Sequence, residues 1–432
     1  MAAPAAPQAE PGSFLVSAPG KVILFGEHAV VYGKTALAAA LGLHTYAWFK
    51  TTNDGLARLH FPDVHLHHAW PISDILAALH PHPHPPSPVL GVSGMPAPPP
   101  CPMSAAVHSS LTSLLPPSAT ANAKQAALSF LYLLAKIHPT SPGIHVIVRS
   151  SLPIAAGLGS SASYSVCAVS GLLLAAHKIR PAFTHHHLAT VNQWSFISEK
   201  ILHGTPSGID NALCTYGAAQ LFAQGHLEPL PGFTSLRFLL INTCVPRDTK
   251  KQVENLKARK LLYPNIIDPL MDAVQGVSES CRHAFAQTPL SRPSITSTLE
   301  TLIDTNHGLM VAAGVSHPSL ETVRRITASH GLVSKLTGGG GGGCAICLIR
   351  DDTTQATIRA IESELEAQGM LCFETTVGGP GVQALVLPND NPVVAMIGCG
   401  FDTFATATPI DWTRLYELFP SPCSSSPPTQ PY

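Results

Sequence analysis

The chain has 432 residues, 45% of them hydrophobic, which is enough for two domains with separate cores. Charged residues make up only 12%, with 25 Lys and Arg against 26 Asp and Glu. A chain so close to neutral carries no basic stripe for nucleic acid or for insertion at an anionic membrane. Any anion site must therefore be assembled locally, from a few cations and backbone N–H groups.

Residues 1–13 are rich in Ala and Pro and lack the basic and apolar regions of a secretory signal. Phe14–Ala18 and Val22–Phe25 read as paired short strands. Residues 81–117 are dense in proline, which forbids regular helix and interior strand. His60, His65, His67, His68, His80, His82 and His84 lie in or just before that stretch. The segment over about 80–120 is expected to be a disordered or loosely tethered Pro/His-rich insertion, its histidines fitting either metal binding or low-complexity drift.

Ile144–Val148 predicts a strand and residues 160–177 an apolar helix. Leu188, Val191, Trp194, Ile197 and Ile201, at steps of three and four, predict a helix over 186–202. Pro229, Pro231 and Gly232 mark a domain boundary near 230–235, so one domain is expected over 13–232 and a second over 233–420. In the second, Leu236–Ile241, Cys344–Ile349 and Leu371–Val377 predict strands. Ile295, Leu299, Leu302, Leu309 and Ala313 mark a long helix, and residues 353–367 a shorter one. Residues 421–432 read as a loose tail. The apolar run Val166–Ala176 is too short to span a bilayer, and the terminal Pro431-Tyr432 is no peroxisomal address, so a cytoplasmic protein is expected. Cys344 and Cys347 form one C-x-x-C without a second pair; buried thiols on an apolar strand explain them better than zinc.

Two glycine-rich stretches carry the chemistry. Gly157-Leu158-Gly159-Ser160-Ser161-Ala162 follows a strand and opens the long apolar helix. Glycines there allow close approach of backbone to phosphate, and the first turn of the helix offers free N–H groups. No G-K-[ST] follows, so it is not a Walker loop; an ordinary glycine turn with a serine N-cap is the simpler alternative. The second stretch, Gly338–Gly343, lies between apolar flanks, unlike a linker. Lys21, Glu27 and His28 gather around an apolar strand. Glu199 on a helix and Asp210 beyond the breaker run Gly204-Thr205-Pro206-Ser207-Gly208 can converge, as the two carboxylates of a phosphoryl-transfer site must.

Taken together, Ser17–His28, Gly157–Ala162 and Lys335-Leu336-Thr337 with its glycine run resemble, in order, the three motifs of the GHMP small-molecule kinases. Gly26–Gly33, His203–Asn211 and Asn242–Thr249 are most similar to the mevalonate-phosphorylating branch of that family. The resemblance covers nearly all of residues 13–390 outside the insertion. It implies an α+β fold with a ribosomal S5-like N-terminal domain and a ferredoxin-like C-terminal domain. It also implies ATP and Mg²⁺ as nucleotide and metal, and mevalonate as substrate.

By the same resemblance Asp210 is the base for the C5 hydroxyl, with Lys21 beside it; Glu27 and His28 shape the substrate wall. Gly157, Leu158, Gly159, Ser160, Ser161 and Ala162 wrap the phosphates, Ser161 and Glu199 hold Mg²⁺, and Gly338, Gly339 and Gly340 brace the phosphate loop. A homodimer and inhibition by prenyl diphosphates are further family traits it implies. Two departures stand out: Gly339 replaces a usual alanine, and Cys244 a common basic residue. Other members (phosphomevalonate, galactose or homoserine kinases) and a non-catalytic nucleotide-binding regulator are the alternatives. Retention of Lys21, Glu199 and Asp210 disfavours the last.

Overall fold

A computed structural model describes residues 12–79, 99–153, 156–223, 226–233, 235–287, 291–387, 404 and 419. In chain order the elements are β1 (Ser13–Phe25), β2 (Ala36–Thr51), β3 (Leu56–Phe61), β4 (Leu66–Pro71), α1 (Ile72–Ala78), α2 (Ala105–Thr112), α3 (Ala121–Ile137), β5 (Ile144–Ser150), α4 (Ser160–Ala175), α5 (His185–His203), α6 (Ile209–Tyr216), β6 (Ala219–Ala223) and β7 (His226–Pro229). There follow β8 (Leu236–Asn242), α7 (Thr249–Leu262), α8 (Pro264–Phe285), α9 (Arg292–Ala313), α10 (Pro318–Ser329), β9 (Ser334–Leu336), β10 (Cys344–Ile349), α11 (Gln355–Glu366), β11 (Leu371–Val377) and β12 (Gln383–Val386).

The first correction concerns β1. The two expected short strands are one strand, and both halves pair antiparallel with β2, the register slipping between Pro19 and Lys21. A side chain at Gly20 would meet Leu152 Cδ2 at 2.4 Å and Leu158 O at 2.7 Å, so the chain can pass here only as glycine. The slip turns the Lys21 N–H toward Leu158 O, 2.8 Å away, and so ties β1 to the first glycine stretch. The central β2 gave no period-two signal because it is buried along almost its whole length and rich in alanine.

The sheet runs β4-β3-β5-β2-β11-β8-β10-β9. Along that path its two halves meet at one paired position, Val377 with Leu41. One core packs α3, α4 and α5 against β1, β2, β3 and β5. The helix α4 is buried on every side over Ala162–Ala175. At Gly171 a Cβ would fall 2.0 Å from the Phe49 ring, so this glycine sets how closely α4 lies on β2. In the second half, alternate residues of β10 enter opposite cores, Cys344 with Phe238 and Phe285, Cys347 with Ile241 and Ile361. The C-x-x-C thiols thus point to opposite faces of one strand, which leaves them as packing groups.

The second half does not stay apart. β12 pairs with β1, Phe14 opposite Val386 through Ser17 opposite Gln383, so a strand from beyond the 230–235 boundary closes the first half. The proline-rich stretch also needs correcting. Between Pro102 and Pro116 it has no proline, and there α2 forms, its N-cap Ser104 accepting from the Val107 N–H. Residues 80–98 of the insertion and the 421–432 tail lie outside the described residues. Among the described residues no helix is long and apolar enough to cross a membrane.

Candidate active site

The strand β5 ends at Ser150, and the chain crosses to α4 through the first glycine stretch. Gly157 and Gly159 both have positive φ, 73° and 75°. Gly159 is the N-cap of α4 in left-handed geometry and caps with no side chain, which removes the serine-cap reading. Among the described residues, no acceptor takes the N–H groups of residues 157–162. A sixteen-residue helix therefore presents its positive end, unsatisfied, to whatever lies before it. Ser163 Oγ donates to Ala18 O at 2.7 Å and anchors this helix end to β1.

The same anchoring delivers Lys21. A Cβ on Gly159 would come 2.8 Å from Lys21 Cγ, so the lysine stem lies directly over the loop. Lys21 Nζ reaches Asp210 Oδ1 at 3.1 Å; the lysine side chain is 10% exposed and the aspartate 37%. Asp210 sits in the first turn of α6, after Gly208 turns the chain at φ 84°. The Asn211 amide donates to Asn192 Oδ1 at 2.6 Å and fixes α6 on α5. Glu199, on α5, is 3% exposed. Ser165 Oγ donates to its Oε1 at 3.2 Å and Ser161 Oγ to its Oε2 at 3.4 Å. Ser161 Oγ is left to accept from His203 Nε2, 2.9 Å away. Burial, and then the charge of Asp210, raise the Glu199 pKa to about 7.

A cavity of about 350 Å³ opens on this group. Gly157, Gly159, Ser160, Ser161, His203 and Asp210 line it, with Phe61, Val64, Asn122, Gln125, Ala126 and Tyr164 forming much of the rest. The Phe61 and Tyr164 rings stack at 5.3 Å. A smaller cavity of about 190 Å³ lies on the other side of Asp210, between Glu199 and Pro206-Ser207-Gly208.

The second glycine stretch is built differently. Gly338, Gly340, Gly341, Gly342 and Gly343 all have positive φ. Gly341 N–H donates to Val315 O and Gly343 N–H to Val245 O. Its link to the first stretch is Arg247, which sequence reasoning quoted within a motif but gave no role. A Cβ on Gly157 would overlap Arg247 Nη2 at 1.1 Å, and one on Gly338 would lie 2.5 Å from Nη1. The guanidinium thus fills the gap between the two stretches, and it makes no hydrogen bond or ion pair with another described residue. Burial lowers its pKa from the usual arginine value. The signal available beforehand was that Arg247 is the one cation in the otherwise neutral run 242–247. His203 was missed in the same way.

Two expected site residues are placed elsewhere. Glu27 does not line the cavity; its carboxylate is wholly buried, paired with Lys335 and accepting from Asn306 Nδ2 at 3.1 Å. His28, at φ 61°, is buried and donates from Nε2 to Gly339 O at 2.9 Å. Both face the second glycine stretch.

Comparison with known proteins agrees with this layout. The profile of the GHMP kinases N terminal domain matches residues 122–218, and that of the GHMP kinases C terminal matches 292–367. The mevalonate kinase of Mus musculus is 38% identical over 388 residues, covering 86% of this chain and 94% of that protein. That of Candida albicans is 39% identical over 396 residues, covering 86% and 90%. The crystal structure of L. major mevalonate kinase in complex with R-mevalonate has the same fold, with a TM-score of 0.61 at 23% identity, covering 84% of this chain and 95% of that one.

Proposed function

The chain belongs to the GHMP kinase family, in its mevalonate kinase branch, and on that premise we propose that it transfers the γ-phosphoryl group of ATP to the C5 hydroxyl of mevalonate. The products are 5-phosphomevalonate, a precursor for isoprenoids and sterols, and ADP. The observation that carries this reading is one cavity lined by Asp210 together with Gly157, Gly159, Ser160 and Ser161, with Lys21 reaching both Asp210 and Gly159 from behind that lining.

In the transfer, Asp210 takes the proton from the C5 hydroxyl as that oxygen bonds to the γ-phosphorus and the bond to the β,γ-bridging oxygen breaks. Lys21, 3.1 Å from Asp210, offsets the charge growing on the attacking oxygen. The amides of Gly157–Ala162 hold the phosphates at the positive end of α4, with the charged guanidinium of Arg247, lying against Gly157, as a second donor set. Phe61, Val64 and Tyr164 offer an apolar wall for adenine, and Asn122 and Gln125 its polar partners.

Ser161 and Glu199 are the residues that would hold Mg²⁺: two hard oxygens, one from a buried carboxylate without a directly bonded cation, beside the phosphate-binding turn. That ion, when bound, neutralises charge on the β- and γ-phosphates. A cytoplasmic homodimer, with prenyl diphosphates competing for the ATP phosphate site, completes the proposal.

A coupled ADP-release assay with mevalonate, galactose, homoserine and phosphomevalonate as acceptors tests it. Turnover with mevalonate and MgATP is expected, at least a hundredfold above the others; turnover confined to another acceptor would reject the assignment.

A further inference from the structure

Glu27 and Lys335 are both completely buried, and they come from different halves of the chain. Glu27 follows β1, whereas Lys335 is the middle residue of β9, three positions before the second glycine stretch. A buried ion pair is weak support for stability, because desolvation of both charges opposes their attraction. Here burial raises the pKa of Glu27 and lowers that of Lys335, each effect opposed by the partner's charge. An apolar pair of the same volume could fill this space at no loss in stability, so the charges call for another reason.

That reason is visible in what else the two segments share. His28 Nε2 donates to Gly339 O at 2.9 Å, and Thr337 Oγ1 donates to Ile23 O at 2.8 Å. Three directional contacts therefore tie residues 23–28 to residues 335–339, one every second residue along the second segment. Each fixes register as well as proximity, which a greasy contact cannot do. Within the clasped segment lies Gly338, the glycine against Arg247, and Arg247 in turn lies against Gly157.

We propose that Glu27 and Lys335 are positioning residues that set the register of the second glycine stretch, and through it the placement of Arg247 over the phosphate-binding turn. The role rests on the kinase reading above. It requires that the pair act on nucleotide handling rather than on folding. Neither residue touches substrate.

The test compares Glu27→Gln, Lys335→Met and the double variant Glu27→Leu/Lys335→Met in the full-length chain, by Tm and by steady-state kinetics with mevalonate and MgATP. Each single variant strands a buried polar partner and should lower Tm by several degrees. The double variant should recover most of that Tm, while its KM for ATP stays about tenfold above the parent value and its KM for mevalonate changes less than about threefold. A double variant with restored Tm and parental KM for ATP would overturn the proposal, since the pair would then only fill space. Thr337→Val, which removes the neighbouring tie with little change in volume, supplies the second arm should the double variant fail to fold. It should raise KM for ATP severalfold at parental Tm, and a parental KM for ATP in that variant would equally reject the register role. If the parent protein itself shows no turnover with mevalonate, the kinase reading fails instead, and the two failures are told apart.

Discussion

The molecule has two glycine-rich stretches of opposite construction. In the first, only Gly157 and Gly159 have positive φ, a helix follows, and the N–H groups meet no acceptor among the described residues. In the second, five glycines have positive φ, a strand follows, and N–H groups of Gly341 and Gly343 are bonded to Val315 and Val245. Glycine content alone does not identify a phosphate loop. What matters is where the backbone donors go. The first stretch leaves donors open at a cavity; the second is a packed brace whose glycines make room for Val315, Gln252 and Arg247.

This contrast can be broken experimentally at graded cost. The largest effect belongs to the chemistry at the first stretch: Asp210→Asn should cut kcat by about 10³–10⁴ while ATP binding, followed by a fluorescent nucleotide, stays within a few-fold. Next comes Gly159→Ala. Its Cβ would meet Lys21 Cγ at 2.8 Å, and the left-handed backbone opposes any L side chain, so kcat/KM should fall by about 10². Equal losses from Gly159→Ala and Gly339→Ala would erase the distinction between the two stretches.

Arg247→Met, at the junction, removes charge-assisted contacts to phosphate, and KM for ATP should rise about tenfold with a smaller change in kcat. The pH dependence sharpens the role of Glu199. Its pKa in the free protein is raised to about 7, so below that pH the carboxylate is protonated and cannot ligate a cation. The kcat/KM for MgATP should be level above about pH 7 and fall up to about tenfold per unit below it; Glu199→Gln should be low and flatten that limb. The smallest effect is Gly339→Ala. That glycine is not left-handed, and the nearest neighbours of an added methyl are the Thr249 side-chain atoms at 2.9–3.1 Å, which must give by a few tenths of an ångström; kcat/KM should stay within about threefold of the parent.

Much of the site was legible because its local signals were strong. Ser160–Ala175 is a run of small and apolar residues with no charge, the steps from Leu188 to Ile201 keep a helical period, and the breaker run before Asp210 turns the chain back. The strands at 344–349 and 371–377 were readable to the residue. What was hidden depended on contacts distant in sequence. Residues 14–25 look broken by Pro19-Gly20, and only pairing with β2 makes them one bulged strand. Glu27 reads as a charge beside a substrate pocket until Lys335, 308 residues later, is brought against it. Arg247 carries no local pattern; its place between Gly157 and Gly338 is set by the meeting of the two halves.

The pairing of β12 with β1 bears on how such a chain can be cut. A fragment ending at residue 232 would keep Lys21, Glu199 and Asp210 but lose the strand that seals Phe14–Ser17, leaving a raw hydrogen-bonding edge open to strand exchange or fibril growth. The protein is in that sense indivisible: co-expressed halves must find each other before either is safe in solution.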